Sequence, residues 1–129
     1  MTLTEKALEY HKSGFNCAQS VLASLGDYTG LDEKTALAVS GGFGGGMRCG
    51  EMCGSVSGAL MAIGLCCRFN EAENKDAKDK IALLTKDFNG RFKERFGYLR
   101  CKDLKRKKIS CDELIAAAAE IAEEIIKNI

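Results

Sequence analysis

The sequence predicts an all-α protein, a compact bundle of about five to six helices around a central helix rich in small residues. Three observations support this prediction. Proline, the strongest helix breaker, is absent from all 129 residues. The helix-favouring residues Ala, Leu, Ile, Lys and Glu are plentiful. Apolar residues also recur at steps of three and four, which is the spacing of one face of a helix.

The first half of the chain contains three predicted helices with recognisable boundaries. The first spans residues 3–13 and ends at Gly14, which offers a stop. Asn16 is a good N-cap for the second helix, and Asp32 is one for the third. The third helix leads into a glycine-rich segment at 41–46, which predicts a connection between helices.

The second half contains three more predicted helices. Residues 53–67 combine small residues with a row of larger apolar ones, as expected of a central helix that neighbouring backbones approach closely. Residues 77–96 form the clearest amphipathic pattern, although Gly90 indicates a kink or break within it. Gly97 is a natural stop for that helix, and residues 110–113 form a capping box that opens the last one.

Length and composition are those of an ordinary globular domain. We expect residues 1–129 to form a single cysteine-rich helical domain with a core of its own. The 19 basic side chains nearly balance the 18 acidic ones, so we expect no nucleic-acid partner. Charges at Glu5, Lys6 and Glu9 interrupt the apolar run that a signal peptide requires, and the uncharged stretch 52–67 is too short and polar for a membrane span. A cytoplasmic location is therefore predicted.

The number of cysteines limits how they can pair as disulfides. There are seven, an odd number, so at least one thiol is free or pairs with another molecule. In a reducing cytosol, cysteines at this density are typical of redox chemistry or metal ligation. Taken one at a time, each is more simply a small buried apolar residue.

Four of these cysteines lie where local charge favours the thiolate. Cys17, Cys53 and Cys111 fall at the starts of predicted helices, where free backbone N–H groups and the positive end of the helix dipole stabilise an anion. Cys101 lies between two basic residues, after the predicted end of a helix. Each placement favours the form of cysteine that attacks disulfides and binds metals.

The same residues resemble a known family. The resemblance rests on Gly14–Gln19, Gly41–Met47, Cys53–Met61, Cys101 and Cys111. These segments resemble the redox-active family named for its C_GCAxxG_C_C pattern, over almost the whole chain. The resemblance implies a redox role and four functional cysteines, which by matching position are Cys17, Cys53, Cys101 and Cys111. Ser55 stands where the motif has alanine, a change from one small residue to another.

Three cysteines lie outside that four-cysteine pattern. Cys49 precedes Cys53 by four residues, which makes it a candidate additional metal ligand, although Gly50 between them favours a loop. Cys66 and Cys67 are adjacent, so their side chains point in different directions on a helix. No C-x-x-C-H sequence is present, and we expect no haem.

These patterns favour two possible functions. A third interpretation is a structural helical domain with buried thiols. The first is thiol–disulfide exchange or electron transfer, which leaves open an activity as a thiol–disulfide oxidoreductase. In it Cys53, flanked by glycines that leave space for a partner, attacks a disulfide, another of the four cysteines resolves the product, and a redox partner protein restores the thiols. The second is a site for zinc or an iron–sulfur cluster held by three or four of the same cysteines. Whether the chain pairs as a homodimer stays open.

The other motifs give weaker indications. The glycine-rich segment lacks the Gly-Lys-Ser/Thr of a phosphate-binding loop, so we interpret it as a pliable connection that lets cysteines approach one another, or as an ordinary tight loop. The basic run 102–108 is predicted to be a solvated connection that could attract an acidic partner to Cys101. His11, the single histidine, is predicted to be a partly buried side chain.

Overall fold

Eight α-helices and no strand make up the fold, which confirms the predicted all-α class. The computed structural model describes all residues from Met1 to Ile129. The helices are α1 (Leu3–Lys12), α2 (Cys17–Ser24), α3 (Gly26–Thr29), α4 (Glu33–Val39), α5 (Gly54–Cys67), α6 (Lys75–Phe96), α7 (Cys101–Arg106) and α8 (Cys111–Lys127). The count exceeds the prediction because α3 and α7 have only 4 and 6 residues, too few to show an apolar period.

Side-chain caps confirm the predicted starts of the longer helices. The side chain of Asn16 accepts a hydrogen bond from the Gln19 backbone at 3.0 Å, and the Gln19 side chain accepts one from the Asn16 backbone at 2.9 Å. Asp32 accepts from the backbone N–H of Thr35 at 3.0 Å at the start of α4. Such caps satisfy N–H groups that the helix itself leaves unpaired.

Helix α6 confirms the amphipathic pattern but not the predicted interruption. It runs through Gly90 without a break and ends at Gly97, which has a left-handed backbone with φ 86°. Phe88 and Phe92, both fully buried, attach the helix to the core. Their burial explains why a single glycine on the exposed face does not break the helix.

The predicted central position of α5 is also confirmed, since it packs against α2, α6 and α8. Val56, Ala59 and Ile63 on this helix are fully buried. Gly58 lies directly against the backbone of Ala18 in α2, and a Cβ there would lie 2.5 Å from the Ala18 carbonyl oxygen. Small residues therefore bring α2 and α5 together, as the sequence predicted. None of the eight helices combines the length and apolar character needed to cross a membrane.

The basic run is not a solvated connection over its whole length. Its first half forms α7, which begins at Cys101 and buries Leu104 completely. The chain then turns at Lys108, whose φ is 61°, and enters α8 through the Ser110 cap. A helix this short is held by its buried leucine and not by propensity, which is why the sequence did not reveal it.

Candidate functional site

Four cysteine side chains line one cavity of about 140 Å³ at the end of the bundle where several helices begin. They are Cys17, Cys53, Cys101 and Cys111. We call this space the thiol cavity; its other lining residues are His11, Asn16, Gly45, Ser55, Lys105, Ile109 and Leu114. All seven cysteines of the chain are free thiols.

Each of the four cysteines lies at the start of a helix. Cys17, Cys101 and Cys111 are the first residues of α2, α7 and α8, and Cys53 is the N-cap of α5. The sequence predicted that Cys17, Cys53 and Cys111 lie at helix starts. It did not predict the helix that begins at Cys101. Helix starts carry partial positive charge, which opposes part of the cost of burying a sulfur anion at this end of the bundle.

Backbone hydrogen bonds hold two of these helix starts side by side. The N–H of Cys53 donates to the carbonyl of Leu99 at 2.9 Å, and the N–H of Cys101 donates to the carbonyl of Glu51 at 2.6 Å. Between them, Met52 and Arg100 form an isolated antiparallel bridge. This pairing fixes the start of α5 against the start of α7, although the two lie far apart in sequence.

Gly54 determines how closely Cys17 approaches the start of α5. A Cβ at Gly54 would collide with the Sγ of Cys17 and would lie 2.9 Å from the carbonyl oxygen of Phe43. The glycines beside Cys53 were predicted to leave space for a partner. At Gly54 that expectation is wrong, because the space is filled by Cys17 of the same chain.

Burial changes the acidity of the innermost thiol. Cys53 is only 2% exposed, and burial, together with charge on Cys17, raises the pKa of its thiol to about 11. The positive helix start does not outweigh this loss of solvation. The predicted preference of Cys53 for the thiolate is therefore wrong, and its burial counts against its predicted role as the attacking thiol.

Cys111 also shows a raised pKa, for several reasons. Burial is the largest cause, and charge on Cys17 and on Cys101 acts in the same direction. Lys105 acts in the opposite direction through its positive charge. The thiolate preference predicted for Cys111 is thus wrong as well. Cys17 contributes to the raised pKa of both Cys53 and Cys111, which agrees with the four thiols lining one cavity.

Most of the chain matches a known protein family. Residues 15–125 match the model of the family described as "Putative redox-active protein (C_GCAxxG_C_C)". The chain belongs to this family. Searches of curated proteins and of solved structures found no match. The matched span includes all four cysteines of the thiol cavity, so the resemblance inferred from the sequence is confirmed as family membership.

In this C_GCAxxG_C_C protein, the pairing of a cavity histidine with an aspartate of another helix was not predicted from the sequence. His11 in α1 lines the cavity, and its Nδ1 lies 2.8 Å from Oδ1 of Asp112 in α8. An ionised carboxylate only accepts hydrogen bonds, so Nδ1 is the donor in this pair. The two residues are 101 positions apart, and no local pattern could have paired them.

The other three cysteines of the family member lie outside the thiol cavity. Cys49 is exposed on the loop before α5, with its Sγ 3.5 Å from the carbonyl oxygen of Gly46. Cys66 and Cys67 lie at the far end of α5, roughly 20 Å from Cys53 at 1.5 Å per residue. Burial raises the pKa of both thiols. The structure thus brings together the four family-matched cysteines and places Cys66 and Cys67 far from them, whereas Cys49 lines an open cleft that Cys101 also lines.

The metal hypothesis requires three or four ligands that point at one position. The chain contains no group of three or more His, Cys, Asp or Glu side chains arranged to hold a metal ion. The four thiols of this C_GCAxxG_C_C protein share a cavity but do not form a ligand shell in this arrangement. Zinc or iron–sulfur ligation by Cys17, Cys53, Cys101 and Cys111, with Cys49 as an additional ligand, stays a prediction from the sequence.

Proposed function

We propose that this protein is a thiol–disulfide oxidoreductase that exchanges electrons through the thiol cavity. One observation carries the proposal: four cysteines from four separate helix starts line a single small cavity. Membership of the family described as "Putative redox-active protein (C_GCAxxG_C_C)" agrees with it. Structural cysteines would not need to meet in one place, and buried apolar thiols would not need the positive ends of four helices around them.

Cys101 is the entry thiol in this proposal. It lines both the thiol cavity and the larger open cleft outside it. Cys17, Cys53 and Cys111 line the thiol cavity but not the cleft. Lys105 also lines both spaces and supplies positive charge. Although its side chain is only 8% exposed, Cys101 is the one of the four cavity cysteines that a disulfide in this cleft would reach, beside a cation that stabilises a sulfur anion. Exposed Cys49 lines the same cleft but not the cavity.

The proposed exchange converts two protein thiols and one substrate disulfide into one protein disulfide and two substrate thiols. The Cys101 thiolate attacks one sulfur of a disulfide R–S–S–R, the S–S bond breaks, and RS⁻ leaves and takes up a proton. Cys111 then loses its proton and attacks the Cys101 sulfur, which releases the second RS⁻. The protein loses two hydrogens and forms one disulfide, and the substrate becomes two thiols. A dithiol reductant, such as a partner protein with two thiols, restores the starting state by the reverse exchange.

His11 serves as the proton acceptor for Cys111. The raised pKa of Cys111 keeps its thiol protonated near neutral pH, so the resolving step needs a base. Asp112 follows Cys111 in the chain and fixes the imidazole of His11 through Nδ1. Cys17 and Cys53 line the same cavity and are a second pair that can receive the disulfide from Cys111 by the same chemistry.

Counting thiols during mild oxidation tests this function. We expect the reduced protein to lose two alkylatable thiols, to regain them on reduction, and to give a Cys101–Cys111 cross-link on peptide mapping. C101S and C111S should each prevent that cross-link. C66S is the matched control, because it removes a thiol outside the cavity and should leave the cross-link intact. An unchanged thiol count in the wild-type protein would refute the proposal.

A further inference from the structure

A second concave surface adjoins the thiol cavity, and it includes two lysines of the basic run that the sequence suggested could attract an acidic partner to Cys101. It is a cleft of about 690 Å³ between the glycine-rich loop and α7. We call it the basic cleft; it is lined by Asn16, Gly44, Gly45, Arg48, Cys49, Gly50, Cys101, Lys102 and Lys105. Asn16, Gly45, Cys101 and Lys105 line the thiol cavity as well, so the two spaces are neighbours.

The charge of this cleft is positive and uncompensated. Arg48, Lys102 and Lys105 line it, and no acidic residue does. The acidic residues nearest in the chain are occupied elsewhere, since Glu51 pairs with Arg100 at 3.1 Å and Asp103 pairs with Arg106 at 3.5 Å. None of the three cations in the cleft forms an ion pair within the chain. Such a concave cationic surface attracts and retains anions.

The loop that forms one wall has an unusual backbone. Residues 45–48 all have left-handed dihedrals, with φ of 59° at Met47 and 60° at Arg48. Residues other than glycine avoid this backbone region, and residues that adopt it are concentrated at functional sites. Gly46 in the same turn lies close against Cys101, because a Cβ there would be 2.8 Å from the Cys101 Cβ. The turn therefore holds Arg48 on the cleft beside the entry thiol.

From these observations we infer that the basic cleft binds the carboxylate groups of a small anionic disulfide and presents its sulfurs to Cys101. The inference rests on the proposed exchange chemistry and adds its substrate class. Arg48 and Lys102 hold the carboxylates, while Lys105, which lines both spaces, faces the sulfur anion that leaves. A neutral or cationic disulfide of similar size gains nothing from these cations and reacts more slowly.

Three disulfides with different charge test the inference. Oxidised glutathione is anionic, bis(2-hydroxyethyl) disulfide is neutral, and cystamine is cationic. We expect the reduced wild-type protein to react fastest with oxidised glutathione and slowest with cystamine. The advantage of oxidised glutathione over the neutral disulfide should shrink as salt rises, because exposed charges are screened. The rate is followed by quenching with alkylating reagent and mass spectrometry.

A double substitution removes cleft charge and leaves the cysteines in place. R48N uses asparagine because it tolerates left-handed backbone, and K102Q removes the second cation. At roughly twofold to fivefold for each exposed cation, the glutathione advantage should fall about tenfold. K78Q/K86Q is the matched control, since it removes two exposed lysines of α6 far from the cleft and should leave that advantage unchanged.

The outcomes separate the two proposals. Reaction with all three disulfides at rates that ignore charge would overturn the basic cleft and leave the exchange function standing. Failure to react with any disulfide would overturn the exchange function, and binding of unreactive S-methylglutathione, measured by calorimetry, then decides the cleft. Binding that R48N/K102Q weakens and K78Q/K86Q does not would support the cleft; absence of binding to the wild-type protein would overturn it.

Discussion

Replacing Gly58 by alanine should destabilise the fold and displace Cys17, because the new Cβ would meet backbone and not a flexible side chain. It would lie 2.5 Å from the carbonyl oxygen of Ala18 and 3.2 Å from its Cα and carbonyl carbon. Contacts under about 3 Å require one helix to move. Overpacking of a core costs about 1–3 kcal/mol, and a backbone contact belongs at the upper end of that range.

The same substitution also has a favourable effect that must be subtracted. Alanine is a better helix former than glycine by about 0.8–1 kcal/mol. G58A should therefore lower the free energy of unfolding by about 1–2 kcal/mol in total. Gly64 provides the matched control, since it lies in the same helix and a Cβ there meets no atom within 4 Å. G64A should raise the stability by about 0.5–1 kcal/mol.

Thermal unfolding followed by circular dichroism, with all thiols kept reduced, measures the difference. At roughly 3–5 °C per kcal/mol for a chain of this size, the Tm of G58A should lie about 5–15 °C below that of G64A. The oxidation of Cys17 should also change in G58A, because Ala18 follows Cys17 at the start of α2. If G58A were as stable as G64A, the close contact between α2 and α5 would be disproved.

The remaining predictions concern the thiol cavity and its acidity. Because the folded pKa of Cys53 is raised from 9.0 to about 11, folding favours its protonated thiol, so stability should fall as pH rises from about 9 to 11. In urea titrations over this pH range, C53A should lose about 2–3 kcal/mol less than the wild-type protein, because the raised pKa values of Cys66, Cys67 and Cys111 remain in both; equal losses would contradict it. H11A should slow the resolving step about tenfold or more near neutral pH, with recovery at alkaline pH. D112N, which keeps the side-chain size, should do the same to a smaller extent; unchanged pH–rate profiles in both variants would remove His11 from the mechanism. G54A should displace Cys17 and slow transfer to Cys53 while the first Cys101–Cys111 disulfide still forms; peptide mapping after timed oxidation would show this, and normal transfer would refute it.

Local signals in the sequence were sufficient for most of the secondary structure. Asn16 and Asp32 cap their helices because a short polar side chain reaches the free N–H groups two or three residues ahead. The period of α6 appeared because one face repeats over five to six turns, and Gly97 ends it through a left-handed backbone. In each case the interacting groups lie within a few residues, so the sequence displays them side by side.

Short or interrupted elements were harder to predict. Helix α7 depends on the burial of Leu104 and on backbone bonds from the segment before α5. Gly90 looked like a break, but Phe88 and Phe92 anchor the helix on both sides of it. Here tertiary contacts outweighed local propensity, and those contacts cannot be read from neighbours in the chain.

The sequence by itself determined the helical class, the family and the four cysteines that belong to its pattern. Only the tertiary structure decided that these cysteines share one cavity, that Cys53 is its most buried member, and that His11 meets Asp112 across 101 residues. The reason is physical. Helix starts and turns depend on bonds between near neighbours, whereas desolvation, charge proximity and the shape of a cleft depend on which distant segments the packed core brings together.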